Sequence, residues 1–235
     1  MKNIVTCGNC GTESPSHALT CSHCKAFLRS RVVNIDLWHV TYTLLIESPI
    51  KAFQEIVYAE HKNFSIILTF VLAFKFFTNT LFVASGTERN LYAGSFLSTN
   101  FLISIIAVFG YLIIFSLLFT YVLKFLGIKT RFKDNYSVYL FSFIPQLFAL
   151  VILVPVQFAL FGKFWFLFNP SPYLIKPNAA YILTIIEGLM ILWSIGLSIA
   201  GIYVQSRNKT FSVIAGLIFS AGFLALVVYA PLYPW

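Results

Sequence analysis

Charge is scarce in this sequence. Asp, Glu, Lys and Arg make up 10% of the 235 residues, and only eight of these are carboxylates. A soluble globular domain carries about 25% charged residues, so composition excludes an ordinary water-soluble fold. The carboxylates are thinly spread, and no paired acids, Ser/His/Asp set, phosphate-cradling glycine loop or His-Glu-x-x-His occurs at a usable place. General acid–base, nucleophilic and metal-hydrolase chemistry therefore have no foothold, and no catalytic residue is expected. The net charge is +8, but the basic residues gather at the ends of apolar runs without interleaved aromatics, which argues against a nucleic acid partner. Cysteine is rare too: there are four, in two pairs near the N-terminus.

Those pairs, Cys7-Gly-Asn-Cys10 and Cys21-Ser-His-Cys24, carry the strongest local signal. Each Cys-x-x-Cys presents two sulfurs from one tight turn, and the ten intervening residues suffice for a hairpin that sets the second knuckle opposite the first. Four thiolates make a closed tetrahedral site, so a structural Zn²⁺ ion in a zinc ribbon over residues 1–30 is expected. Gly8 and Gly11 suit the positive φ that such knuckles require. Two alternatives stand beside this reading. Disulfides need an oxidising compartment, whereas residues 1–6 offer no apolar signal segment; a redox Cys-x-x-Cys needs a surrounding βαβ unit, for which there is no room. His17 and His23 are expected in solvent-facing loops, because four cysteines already fill the shell.

Hydrophobic residues make up 59% of the chain, and five runs reach the roughly 20 residues that a membrane-spanning helix needs. They cover 64–84, 101–126, 136–161, 179–204 and 211–229. Backbone groups must pair internally in lipid, so each is a helix. The expected fold is an all-α polytopic membrane protein: five transmembrane helices over 64–235, preceded by a linker with an amphipathic helix over 31–63 and by the ribbon. Lys and Arg divide twelve to three between alternate sides, which places the N-terminus in the cytoplasm and the tail Tyr233-Pro234-Trp235 outside. Sequons at Asn63, Asn135 and Asn208 fall on the cytoplasmic side and read as chance matches.

In the linker, Ser48 is a candidate N-cap and Pro49 suits the first helical turn. Ile50, Phe53 and Val57 then recur with helical spacing, either against the headgroups or against the cytoplasmic end of the bundle. Residues Ile35, Leu37, Trp38, Val40 and the run 43–46 suggest another membrane-surface element. Within the spans, Lys75 and Glu187 fall at the same depth on antiparallel helices and are expected to pair, with Asn79 one turn away able to join them. The alternative is a snorkelling lysine and a protonated or wetted glutamate. The third span carries Pro145-Gln146 and Pro155-Val156-Gln157: the prolines should kink it, and the amides should bridge helices or line a crevice. Small residues four apart (Ser194/Ser198, Gly196/Ala200, Ser212/Gly216/Ser220) predict a tight hairpin of the last two spans.

The stretch Leu45-Ile46-Glu47-Ser48-Pro49-Ile50-Lys51-Ala52-Phe53, followed by five spans and a short exit tail, resembles the Ypt-interacting-protein (Yip) domain family. The resemblance implies a membrane protein of the kind whose eukaryotic members associate with Rab GTPases and vesicle-forming machinery in the early secretory pathway. Bacterial relatives, some with an N-terminal zinc ribbon, have no assigned activity, and the family supplies no catalytic residue. The ribbon running into Val33-Asn34-Ile35-Asp36-Leu37 is more weakly similar to Arv-type lipid-homeostasis proteins. The expected function is a non-enzymatic adaptor in the lipid bilayer whose ribbon docks a cytoplasmic protein partner, with a homo-oligomer left open. The alternative is a lipid or small-solute permeation protein using the intramembrane polar residues. Asn-, Lys-, Ile- and Phe-rich usage points to a bacterial inner membrane.

Overall fold

The computed structural model describes residues 4–15, 18–28, 32–86 and 94–229, with side chains from 98 onward in the last segment. Lys2, His17, Arg29, Arg31, Arg89 and the tail Tyr233-Pro234-Trp235, all used in the sequence reading, lie outside the described residues. The chain opens on a two-stranded hairpin. Strand β1 (Ile4–Thr6) pairs antiparallel with β2 (Glu13–Pro15), Thr6 facing Glu13. The two cysteine turns follow these strands.

Helix α1 (Leu37–Tyr42) begins where the Asp36 carboxylate accepts hydrogen bonds from the amides of Trp38 and His39, at 3.1 and 3.2 Å. That is N-capping by a short acidic side chain. It runs into a π-helical turn over Thr43–Glu47, and Pro49 then opens α2 (Pro49–Tyr58). Ser48 occupies the N-cap position of α2 with an extended backbone, but its side chain makes no capping bond. The cap expectation therefore holds for the backbone alone. Ala52, Phe53, Ile56 and Val57 are the buried residues of α2, whereas Ile50 is exposed. Hence the covered face is shifted from the expected Ile50/Phe53/Val57 stripe, and it packs against the end of the helical bundle. Asn63 clamps the upstream segment: its amide accepts from Ile35 N at 2.8 Å and donates to Ile35 O at 2.9 Å.

Among the described residues, five helical passages are long and apolar enough to span a membrane. They are α3 (Ser65–Gly86), α4 (Gly94–Phe125), a broken third passage, α10 (Pro177–Ser206) and α11 (Lys209–Tyr229). Alternating directions give the bundle two ends. The near end holds α2 and the turns after α4 and α10; the far end holds the short helices α8 (Phe164–Leu167) and α9 (Pro172–Ile175). At the near end α4 stops at Gly127, whose φ of 78° lets Ile128 N close back on Leu123 O at 2.9 Å. Only glycine adopts that left-handed turn without a side-chain penalty.

A single helix over 136–161 is not what forms. The third passage is α5 (Phe132–Phe141), a turn at Ser142–Phe143, α6 (Ile144–Phe148), a π-helical turn over Ala149–Leu153 and α7 (Val154–Phe161), and of these the stretch apolar enough to span is Ile144–Phe161, shorter than the expected 136–161. Each break ends before a proline with one residue between, since Pro145 and Pro155 lack the amide the preceding turn would use. The expected kinks are thus large enough to divide the passage.

Packing splits in two. From the near end to the middle, aromatic rings fill the bundle: Tyr139 and Phe219 lie 4.2 Å apart between centroids, Phe143 and Phe223 4.3 Å, Phe115 and Phe219 5.3 Å. A smaller cluster under the far end contains Leu153, Phe161, Trp165 and Leu183. Outward positions such as Ile66, Ile106, Ile152, Ile185 and Ile218 are exposed and aliphatic, the surface a bilayer covers without cost.

Candidate functional site

Three groups of polar side chains stand out, and the first is the cysteine cluster. The two knuckles are built alike. Gly11 N donates to Cys7 O at 2.9 Å and Lys25 N to Cys21 O at 3.1 Å. The residue after each second cysteine takes a positive φ, 71° at Gly11 and 58° at Lys25. Gly8 does not, so the strained position lies one residue beyond each pair and not inside it; Lys25 gave no glycine signal in the sequence. The four sulfurs lie within 4.8 Å of one another, with Cys7–Cys24 and Cys10–Cys21 at 3.6 Å. A disulfide needs about 2.05 Å, whereas a tetrahedron with metal–sulfur bonds of about 2.3 Å has edges of about 3.8 Å. Cys7, Cys10, Cys21 and Cys24 therefore fit one tetrahedral metal ion. His23 donates its backbone amide to Cys21 Sγ at 3.4 Å, so it supports the cluster through its main chain.

A second group lies at the near end and carries no sequence motif. The final carbonyls of α2 have no partner inside the helix, and Lys62 supplies one. Its ammonium donates to Ile56 O, to Val57 O at 3.1 Å and to Ala59 O at 2.9 Å, and pairs with Asp134 at 3.0 Å. Asp134 is 1% exposed and also takes Arg131, with Nε at 2.6 Å from Oδ2. Burial pulls the Lys62 ammonium down to about 8 against the opposing pull of Asp134. Beside it, Asn135 donates to Thr120 Oγ1 at 2.7 Å and accepts from Thr130 at 3.2 Å. This ring of groups ties α2 to the start of the third passage. The sequon asparagines all have internal work: Asn63 and Asn135 as above, and Asn208 through its Oδ1, which accepts Phe211 N at 3.0 Å.

The third group is inside the bundle. Lys75 lies eleven residues before the end of α3 and Glu187 ten after the start of α10, so at 1.5 Å rise both sit roughly 15 Å from the far end. Lys75 Nζ approaches Glu187 Oε1 at 2.7 Å, and the side chains are 2% and 17% exposed. Gln157 Nε2 donates to the same oxygen at 3.1 Å, linking α7 to α10. Asn79 does not join the pair; it lines the same cavity one turn further along α3. Gln146 bridges nothing. It is 4% exposed, and neither its nitrogen nor its oxygen has a partner among the described residues. These five residues border one cavity of about 300 Å³.

The hairpin of α10 and α11 is close, though its small residues contribute unequally. Ser198 and Ser220 lie 3.2 Å apart, Ser206 and Ser212 2.8 Å, and a Cβ on Gly216 would stand 2.6 Å from Ile199 Cγ1. Gly196 faces open space, so the Gly196/Ala200 pair is not part of that contact. Gly201, which the sequence pattern passed over, meets Val138 and Phe53 instead and admits α2 onto α10.

No curated protein and no solved structure matches the chain. The model of the Yip1 domain matches residues 43–230, from the π-helical turn before α2 to the end of α11. The protein, a five-span membrane bundle with a metal-compatible cysteine cluster at its N-terminus, belongs to the Yip1 domain family.

Proposed function

We propose that the protein is a non-enzymatic membrane adaptor whose ribbon docks a cytoplasmic protein, while the spans fix its location and meet lateral partners. The observation that carries this is the closed cluster of four cysteine sulfurs, all within 4.8 Å of one another. A complete ligand set leaves no open position for substrate, so the metal's role is structural. An all-sulfur tetrahedron suits Zn²⁺ better than Mg²⁺ or Ca²⁺. The module displays Phe27, 74% exposed, with Ile4 and Val5, an apolar surface that a protein partner would cover. The twelve-to-three bias of Lys and Arg puts this module in the cytoplasm, where thiolates stay reduced, and residue usage favours a bacterial inner membrane.

The test compares full-length wild type, Cys7→Ser and the double variant Lys75→Met/Glu187→Met, each affinity-purified in mild detergent. A cytoplasmic protein should accompany the wild type and the double variant and be lost from Cys7→Ser. Retention by Cys7→Ser, or loss from the double variant alone, would overturn the adaptor reading.

A further inference from the structure

The far half of the bundle holds a cavity that the adaptor reading does not use. Its inner lining reaches Phe143 and Phe223, whose tilted rings lie 4.3 Å apart between centroids, with Ser194 and Ser220 beside them. Beyond that floor the aromatic cluster around Phe219 fills the bundle to the near end. The cavity therefore ends inside the protein, as a binding site does and a permeation path does not. In the other direction its lining continues to Val83, Phe166 and Val228, at the far ends of α3, α8 and α11.

The polar lining is confined to one region. Lys75 and Glu187 neutralise each other at 2.7 Å, and Gln157 occupies the same carboxylate oxygen, so no net charge is left to attract an ionised head. Gln146, 4% exposed, offers two donors and an acceptor with no partner among the described residues. Buried amides are almost always partnered. A partner for this one has to donate and accept, as a hydroxyl does. The rest of the wall is largely apolar, with Phe82, Leu224 and Val227 prominent. At about 300 Å³ the space is at the lower end of small-molecule pockets and equals about ten waters. That volume takes a hydroxyl-bearing head and part of one chain, and the two chains of a phospholipid do not fit.

We propose that this cavity binds a neutral single-chain lipid with a hydroxyl-bearing head, the head on Gln146 at mid-depth and the chain leading toward the far end. The site is independent of the ribbon, so failure of either proposal leaves the other standing. Two groups divide the recognition: Gln146 reads the head, and Gly188 leaves room for the body. A Cβ on Gly188 would meet nothing within 4 Å, and the residue lies on the α10 face between the cavity-lining Thr184 and Ile191. A large side chain there fills the space without touching the amide.

The experiment uses the full chain in detergent with Trp38, Trp193 and Trp235 changed to Phe, leaving Trp165, a buried cavity residue, as the reporter. The probe is a monoacylglycerol with a dibrominated chain, which quenches tryptophan on contact. The brominated fatty acid and lysophosphatidylcholine test an anionic and a bulky zwitterionic head. Saturable quenching by the glyceride is expected, abolished in Gly188→Phe and weakened at least about tenfold in Gln146→Leu, the loss expected when a site built to hydrogen-bond a hydroxyl can no longer do so. Either variant alone suffices should the other not fold. Absence of saturable quenching, as for a cavity holding only water, would overturn the proposal. So would equal quenching in wild type and either folded variant, or binding of the fatty acid or the lysolipid as tight as that of the glyceride.

Discussion

Burial converts small polar contacts into large terms, and Lys75 shows the scale. Its ammonium is 2% exposed with a single carboxylate at 2.7 Å. Removing either partner leaves an unpaired charge in the apolar bundle, which costs about 3–5 kcal/mol, whereas removing both leaves only a packing defect. Lys75→Met and Glu187→Leu should each lower the melting temperature in detergent, and the double substitution should recover most of the loss. A double variant no more stable than the worse single would show that the pair does not act as one. Asp134 makes the matching case outside the apolar zone, because one carboxylate serves Lys62 and Arg131 together. Asp134→Asn is expected to cost about 3 kcal/mol. Lys133→Met, at an exposed contact to Glu60 O, should stay within about 0.5 kcal/mol; comparable losses in the two would refute the assignment of Asp134 as the centre of the near end.

At the scale of elements, the hairpin of α10 and α11 depends on where backbone meets side chain. A Cβ on Gly216 would stand 3.1 Å from both the Cα and the amide nitrogen of Ile199, and backbone cannot rotate away. Gly216→Leu should therefore destabilise by about 1–3 kcal/mol through overpacking. Gly196→Ala, into open space, should be neutral or gain up to about 1 kcal/mol from helix propensity. Thermal unfolding of the two in the same detergent separates them, and equal effects would mean that the small residues are interchangeable. The sequence pattern could not make this distinction, because it gives spacing and not rotation about the helix axis. The same limit explains α2, where Ile50, Phe53 and Val57 define an apolar stripe but the neighbour that covers Ala52 and Ile56 sets which edge of it is buried. The spans were readable because length and hydropathy alone define them. The divided third passage was readable only as two prolines, since how far a helix breaks depends on what packs around the freed carbonyls.

Across the whole molecule, what was legible in the candidate sites follows from how local each one is. The thiolate cluster is written in two four-residue turns, so spacing suffices. The Lys75–Glu187 contact joins residues 112 apart, yet depth in a bilayer supplied a shared coordinate. The near-end network of Lys62, Arg131 and Asp134 has neither aid. The ribbon and the bundle are also separable in energy. Among the described residues the strands pair with each other and no helix packs extensively on them, and a segment of about 25 residues is too small to fold on its own apolar core. On the proposed zinc reading, metal binding supplies the ribbon's folding free energy, while the bundle stands on its own packing. The purified chain should hold one zinc ion, measured by plasma mass spectrometry, and Cys7→Ser or a strong chelator should remove it. Proteolysis should then open the ribbon ahead of Leu37, while the melting temperature of the helices stays within a degree or two of wild type. A chelator that lowers bundle melting by many degrees would show that the metal holds the membrane domain together as well, and the ribbon would no longer be a free-standing docking module.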